Sequence, residues 1–417
     1  MNINSALNPI FQHIDAGGDA EHTNNGGNDG TTPSTMLRLL QLRNCGHGFT
    51  DQVAITVSEK HAPGLEILEL TGCYRLNESA LCSLLLQCRE NLRNLDLSCN
   101  SRLGKNSLTT ISTMRNLTSL KLDHATPLTN EMIAPLTAES STLASLEHLS
   151  MAGIIDLTDE GLGPIIKKFG PKLRSFCVRG CIQLTDESII LIREDCCVLD
   201  ALDIGGLSQV STAALLGLFI EGPVLRGGVI VEIPILFDTS MDLEIHQDQN
   251  QNKDDWNEDG QDISGTGDED KSMEHSSSSS SSSLLSSSSA APISISEKIN
   301  VSIGKLSKIC LSGLCSSVTD DVVIQLCQLS SKLHTVDLGG CCLLSGKSIS
   351  ALQLLCGELE TLDISFVRLF SEDSLGSLVD RCANLKKLSV WGCTQLGKRF
   401  FDGHRNDSLV IEGRMEA

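Results

Sequence analysis

Apolar residues recur along this chain in a fixed phrase. Leu173, Phe176 and Val178 are followed by Cys181, then Leu184-Thr185-Asp186 and Ile189, which gives L-x-x-L-x-L-x-x-C-x-x-L-T-D-x-x-I. The first leucines of successive phrases are Leu37, Leu65, Leu92, Leu117, Leu146, Leu173, Leu199 and Leu225, spaced 25 to 29 residues apart. After 81 residues the phrase resumes at Leu306, Leu333, Leu359 and Leu385, spaced 26 or 27. A period of this size marks a stack of small units rather than a set of unrelated domains.

Each phrase carries its own structural instructions. The last two leucines of L-x-x-L-x-L lie two residues apart, so both point to one face of a short strand and the residue between them points to the other. The Cys or Asn three positions on, as at Cys45, Cys73, Asn100, Cys181, Cys341 and Cys393, stands where the chain leaves the strand and is suited to bond orphan backbone groups. The segment after Thr-Asp has helical spacing, and both residues suit a helix N-terminus. One unit cannot bury its apolar face alone. Stacked units can, with parallel strands on the concave side and helices on the convex side. Ala125 replaces the Cys/Asn residue in the fourth unit, and Gly228 replaces a strand leucine in the eighth, where a weak strand is expected.

The pattern divides the chain. Residues 1–35 form a polar tail rich in Gly, Asn and Asp, expected to be disordered. Residues 36–233 hold the first part of the array and 301–404 the second. Between them, residues 234–300 are acidic and low in complexity, with serines from Ser276 to Ser283. That insertion should be disordered and should leave the array after the eighth strand. It reads as a solvated spacer or as a phosphorylatable segment. Residues 405–417 are expected to form a C-terminal tail.

Charge narrows the partners. The net charge is −21, of which the insertion holds 14 acids against 3 bases, or −11, leaving −10 elsewhere. Neither part suits a phosphate backbone, so no direct nucleic-acid contact is expected. No apolar run approaches a membrane span. Aromatic content is only 3%, so the core must come from Leu, Ile, Val and Cys. The 17 cysteines fall mostly on apolar repeat positions, with no C-x-x-C pair and no charged-then-apolar leader. They read as reduced core residues of a cytoplasmic or nuclear protein.

Candidate chemistry dissolves into the repeat. Gly339–Ser348 resembles a phosphate-binding loop, but five residues separate Gly340 from Gly346 instead of four. Cys88, Cys196, Cys356 and Cys382 occur once per unit, too far apart to share a metal ion. No H-E-x-x-H or G-x-S-x-G occurs. No catalytic, cofactor or metal residue is assigned, and a cysteine nucleophile would need an activating His that the sequence does not offer.

A surface remains. The column between the strand leucines reads Glu69, Asp96, Lys121, Ser150, Cys177, Asp203, Cys310, Asp337, Asp363, Ser389, half of it acidic. The column after the last strand leucine includes Asp123, Arg179 and Trp391. Glu69, Asp96, Lys121, Asp123, Arg179, Asp203, Asp337, Asp363 and Trp391 are the candidate partner-binding residues. For the acids the competing role is to keep the sheet soluble and resist edge pairing. For Trp391 the competitor is packing against the last repeat.

The phrase L-x-x-L-x-L-x-x-C-x-x-L-T-D resembles the cysteine-containing class of leucine-rich repeats, from about Leu37 to Phe401 apart from the insertion. That resemblance implies an α/β leucine-rich-repeat solenoid of eleven or twelve units, the class found in F-box substrate receptors and their relatives. Asp373–His404 resembles the end of Rad-type DNA-repair leucine-rich-repeat proteins, with Gly392-Cys393-Thr394-Gln395 as its motif. The implied role is non-enzymatic: recognition of a protein on the concave face for a cullin-type ubiquitin ligase, with an adaptor or cullin as further partner. The alternatives are a subunit of a nuclear nucleotide-excision-repair complex or a general adaptor without a ligase link. The 36 polar residues before the array contain no recognisable F-box.

Overall fold

The computed structural model describes residues 37–45, 48–125, 128–219, 305–402, 406 and 408–413. The expected tail at 1–35, the insertion at 234–300 and the unit expected at Leu225 lie outside them.

Strands and helices alternate. The strands are β1 (Leu39–Arg43), β2 (Ile67–Thr71), β3 (Asn94–Asp96), β4 (Ser119–Lys121), β5 (His148–Ser150), β6 (Ser175–Cys177), β7 (Ala201–Asp203), β8 (Lys308–Cys310), β9 (Thr335–Asp337), β10 (Thr361–Asp363), β11 (Lys387–Ser389) and β12 (Val410–Glu412). They form one parallel sheet in chain order. Among the helices that follow them are α1 (Asp51–Lys60), α2 (Glu78–Cys88), α3 (Lys105–Ile111), α4 (Asn130–Ile133), α5 (Asp159–Phe169), α6 (Asp186–Asp195) and α7 (Thr212–Leu218). After the interval come α8 (Asp320–Leu329), α9 (Gly346–Leu355), α10 (Glu372–Arg381) and α11 (Lys398–Asp402). This is the α/β leucine-rich-repeat architecture.

The leucines that set the period are the core. Leu65, Leu92, Leu117, Leu173, Leu306, Leu333, Leu359 and Leu385 are fully buried, as are strand residues Leu68, Leu120, Val336 and Leu388. Four large rings, Phe49, Phe169, Phe176 and Phe370, fill what leucine cannot.

Polar repeat positions join one unit to the next. Cys181, Cys341 and Cys393 donate their thiols to Met151, Leu311 and Ile364 carbonyls at 3.1, 3.4 and 3.2 Å, each in the preceding unit. Asn100 does more. Its amide donates to the Leu70 and Leu97 carbonyls and its oxygen accepts from the Cys73 N–H.

The Asp of Thr-Asp also works between units, which corrects its expected role as a cap of its own helix. Asp159 accepts from the Thr185 N–H and hydroxyl, Asp186 from those of Ser211, and Asp320 from those of Ser345. Each carboxylate therefore staples its helix to the start of the next one. Thr185 does cap its own helix, accepting from the Glu187 N–H.

Each strand leads into a turn whose residue takes a left-handed conformation. Gly180, Gly206, Gly313 and Gly340 hold it at φ +68° to +77°, where a side chain is strained. Phe366 holds it at +64° in the tenth unit. Its ring lies over Gly392, where a Cβ would come within 2.4 Å of it.

One expectation about the array's limits is corrected. β7 pairs directly with β8, and the unit expected at Leu225 lies outside the described residues. Residues 405–417 are not simply a tail. β12 pairs with β11 and extends the sheet past His404, because Leu409 and Ile411 supply apolar residues without the full phrase.

Candidate functional site

Three rows of side chains lie on the open face of the sheet, the expected concave side. The middle row is the one read between the strand leucines: Glu69, Asp96, Lys121, Ser150, Cys177, Asp203, Cys310, Asp337, Asp363 and Ser389 are in mutual register. The row two residues before it holds Ser119, His148, Ser175, Ala201, Lys308 and Thr335. Period-two alternation pointed to this row as directly as to the middle one, and the sequence reading passed over it.

The acids of the middle row have a first task inside the fold. Asp96 accepts from the Ser98 N–H at 2.9 Å, Asp203 from Gly205 at 3.1 Å, Asp337 from Gly339 at 3.0 Å and Asp363 from Ser365 at 2.8 Å. Each closes the turn at its own strand's end, an Asx-type local bond. Asp123 bonds across to the Ser150 hydroxyl and the Ala152 N–H. Glu69 pairs with Arg43 at 2.8 Å. Burial opposes the Glu69 charge, yet the Arg43 hydrogen bond holds its carboxyl below the usual range.

Arg179 ties the centre together. Its guanidinium lies 3.5 Å from both the Asp203 and Asp337 carboxylates. It also donates to the Cys310 sulfur at 2.7 Å and to the Ser312 hydroxyl. Burial alone would lower its affinity for a proton; Cys310, Asp203 and Asp337 outweigh that and raise it. One side chain from the sixth unit therefore clasps the three units after it.

Beside this clasp the sheet is dished. Small side chains, among them Ser119, Ser150, Ser175, Cys177 and Ala201, line a depression of about 420 Å³. Lys121, His148, Lys308, Arg179, Asp203 and Asp337 also face it. Among the described residues Lys121, His148 and Lys308 form no ion pair with a carboxylate. The depression thus brings together Lys121, Arg179, Asp203 and Asp337. Glu69 and Asp96 stand apart towards β2 and β3, and Asp363 and Trp391 towards the other end.

Two cysteines face the depression. Burial pushes the Cys177 thiol up to about 11, with Asp203 adding to the effect, and raises Cys310 in the same way. At neutral pH both stay thiols. Among the described residues no group of three or more His, Cys, Asp or Glu side chains is placed to hold a metal ion. No described helix is long and apolar enough to cross a membrane.

The chain is similar to known proteins in sequence and in fold. It is 27% identical to the DNA repair protein RAD7 of Saccharomyces cerevisiae over 189 residues, 44% of this chain and 33% of that protein. The crystal structure of yeast Rad7 in complex with Elc1 matches 90% of this chain and 74% of that one, with a TM-score of 0.63 and 18% identity. The likeness to the solved structure shows the leucine-rich-repeat fold. It spans about a third of the length of the curated relative it matches. No family profile matches it.

The C-terminal end of the array presents a different surface. Trp391 is 51% exposed, and Phe366 and Leu369 beside it are 59% and 64% exposed. The Trp391 backbone is held on both sides: its N–H donates to the Ser365 hydroxyl and its carbonyl accepts from the Phe366 N–H. Its indole is left on the rim. The exposed rings and leucine of this rim were legible only in part, because a left-handed Phe366 cannot be read from the phrase.

Proposed function

We propose that this chain is a non-enzymatic recognition subunit that holds a protein on the open face of its sheet for a cullin-type ubiquitin ligase. The observation that carries the reading is the central depression, which Lys121, His148 and Lys308 line with no ion pair of their own among the described residues, with Lys121 acting on Glu69 only through its charge, while Arg179 fixes the floor. Acidic groups on a folded partner or a peptide complement the Lys121 and Lys308 cations. Similarity to a protein crystallised with Elc1 supports an adaptor of that type as the link to the ligase.

The repair reading, of a subunit of a nuclear repair complex, has its own support in the likeness to a DNA repair protein. Its contribution there runs through protein contacts, in keeping with the net charge of −21.

Affinity purification of the full chain with cross-linking mass spectrometry tests the proposal. Cross-links from Lys121 and Lys308 to one partner are expected, together with recovery of an adaptor or cullin. K121E/K308E should lose that partner at least tenfold while circular dichroism stays unchanged. Failure to recover any adaptor, cullin or ubiquitin component removes the ligase reading, and normal ultraviolet survival after gene deletion removes the repair reading.

A further inference from the structure

Three of the cysteines among the described residues are exposed: Cys197, Cys315 and Cys342. Cys197 follows α6 and adjoins buried Cys196. The other two occupy the same place in consecutive units, two residues after the left-handed glycines Gly313 and Gly340. Those turns stack directly, since a Cβ on Gly340 would lie 3.7 Å from the Gly313 nitrogen and 4.0 Å from the Cys315 sulfur. Burial raises the Cys315 thiol, and the neighbouring Cys342 adds to the effect. Cys342 also donates to the Gly340 carbonyl at 3.3 Å, which holds its sulfur back over the turn.

We propose that Cys315 and Cys342 are a modification site: an oxidisable dithiol that closes a reversible disulfide between the eighth and ninth strand-bearing units. Neighbouring strands of a sheet are about 4.8 Å apart, within the Cα separation of about 4.4–6.8 Å that a disulfide spans. Neither backbone needs to move far, because both turns are already fixed by the Gly313 N–H to Gly339 carbonyl and Gly340 N–H to Ser365 carbonyl bonds.

The oxidant is a small-molecule disulfide such as glutathione disulfide. One cysteine, as thiolate, attacks a glutathione sulfur and expels a glutathione thiolate, which leaves a mixed disulfide on the protein. The second cysteine gives up its proton and attacks the protein sulfur, and the second glutathione leaves. Two electrons pass from the cysteine pair to one glutathione disulfide, and the two protons end on two glutathione thiols. Reduction by excess thiol reverses each step. Selectivity follows from exposure. Buried Cys341, next in sequence to Cys342, is pushed up to about 12 by its burial and stays a thiol.

The bridge would stand beside the central clasp. Cys310 and Ser312, which Arg179 holds, belong to the same unit as Cys315, and Asp337 belongs to the unit of Cys342. Oxidation therefore fixes the spacing of two of the units that shape the depression.

The test uses the full chain, purified reduced, treated with glutathione disulfide, alkylated and digested. The expected product is one peptide pair whose fragment ions place the bridge between Cys315 and Cys342, with two accessible thiols lost together and regained with dithiothreitol. C315S should leave Cys342 as a stable glutathione adduct, and C315S/C342S should fold normally and lose the paired response. A separate glutathione on each cysteine of the wild-type chain would overturn the proposal, and so would a bridge from either one to Cys197 or no thiol loss at all.

Discussion

Asp320 shows how much one carboxylate does in this array. It lies at the start of α8, and its two oxygens receive the Ser345 N–H at 2.9 Å and the Ser345 hydroxyl at 2.6 Å, with the Ser348 hydroxyl as a third donor. Burial works against its charge, but these hydrogen bonds outweigh it and hold the carboxyl below the ordinary value of 3.8. A carboxyl depressed by folding adds stability above its unfolded pKa, and that share is lost as pH falls through the lower, folded value. D320N should cost about 1–2 kcal/mol at neutral pH. It should also flatten the acid limb of stability below pH 3.8, as measured by urea unfolding across pH. An unchanged acid limb would show that the staple carries no linkage. At this scale the sequence spoke in residue types more than in partners. Thr-Asp was visible as a helix start, yet nothing in a single phrase says that the carboxylate points to the next phrase. The turn-closing acids were more legible in hindsight: Asp96, Asp203, Asp337 and Asp363 are each followed two residues later by Ser or Gly. That spacing leaves room for the carboxylate to reach the small residue's N–H.

At the scale of elements, the strands and their order were legible because burial of one leucine face admits a single register. β12 was not, because it lacks the phrase and is identified by its pairing alone. Its hold on the array is specific. The Glu412 carbonyl accepts from the Val390 N–H at 2.8 Å, and the Val410 N–H donates to the Lys386 carbonyl at 2.8 Å. Gly413 follows at φ +103°, and a Cβ there would lie 2.5 Å from the Trp391 nitrogen. G413A therefore cannot be accommodated without moving the strand end. Hydrogen exchange should show the Val390 amide losing at least tenfold protection in G413A while the amides of β8 and β9 keep theirs. Equal loss along the whole sheet would mean that β12 stabilises the array globally and not its end alone. Row position was only half read. The middle row gave Lys121, Asp203 and Asp337, but His148 and Lys308 sit one pleat earlier and complete the same depression.

For the whole molecule, the one break in the period turns out to lie between neighbours in space. The Ser307 N–H and hydroxyl both bond the Asp200 carbonyl across 107 residues of sequence, whereas Thr185 and Asp159 bond across 26. Every other junction in a stack of this kind is local, and local contacts form quickly. Closing the longer loop costs about 1 kcal/mol more than closing an ordinary unit. The chain should therefore fold as two blocks, β1–β7 and β8–β12, that meet late. Stopped-flow refolding is expected to show a fast phase and a slower one. Excising Leu225–Lys298 should bring the two phases together, with little change in the unfolding rate. A single phase in the intact chain would refute this. The junction between β7 and β8 thus separates, in time, the two parts of the sheet that Arg179 must join: its cation comes from the first block, and Cys310, Ser312 and Asp337 come from the second. A newly made first block presents Arg179 with only Asp203 to hold, so the finished depression appears only once synthesis has passed the interval and the second block has docked.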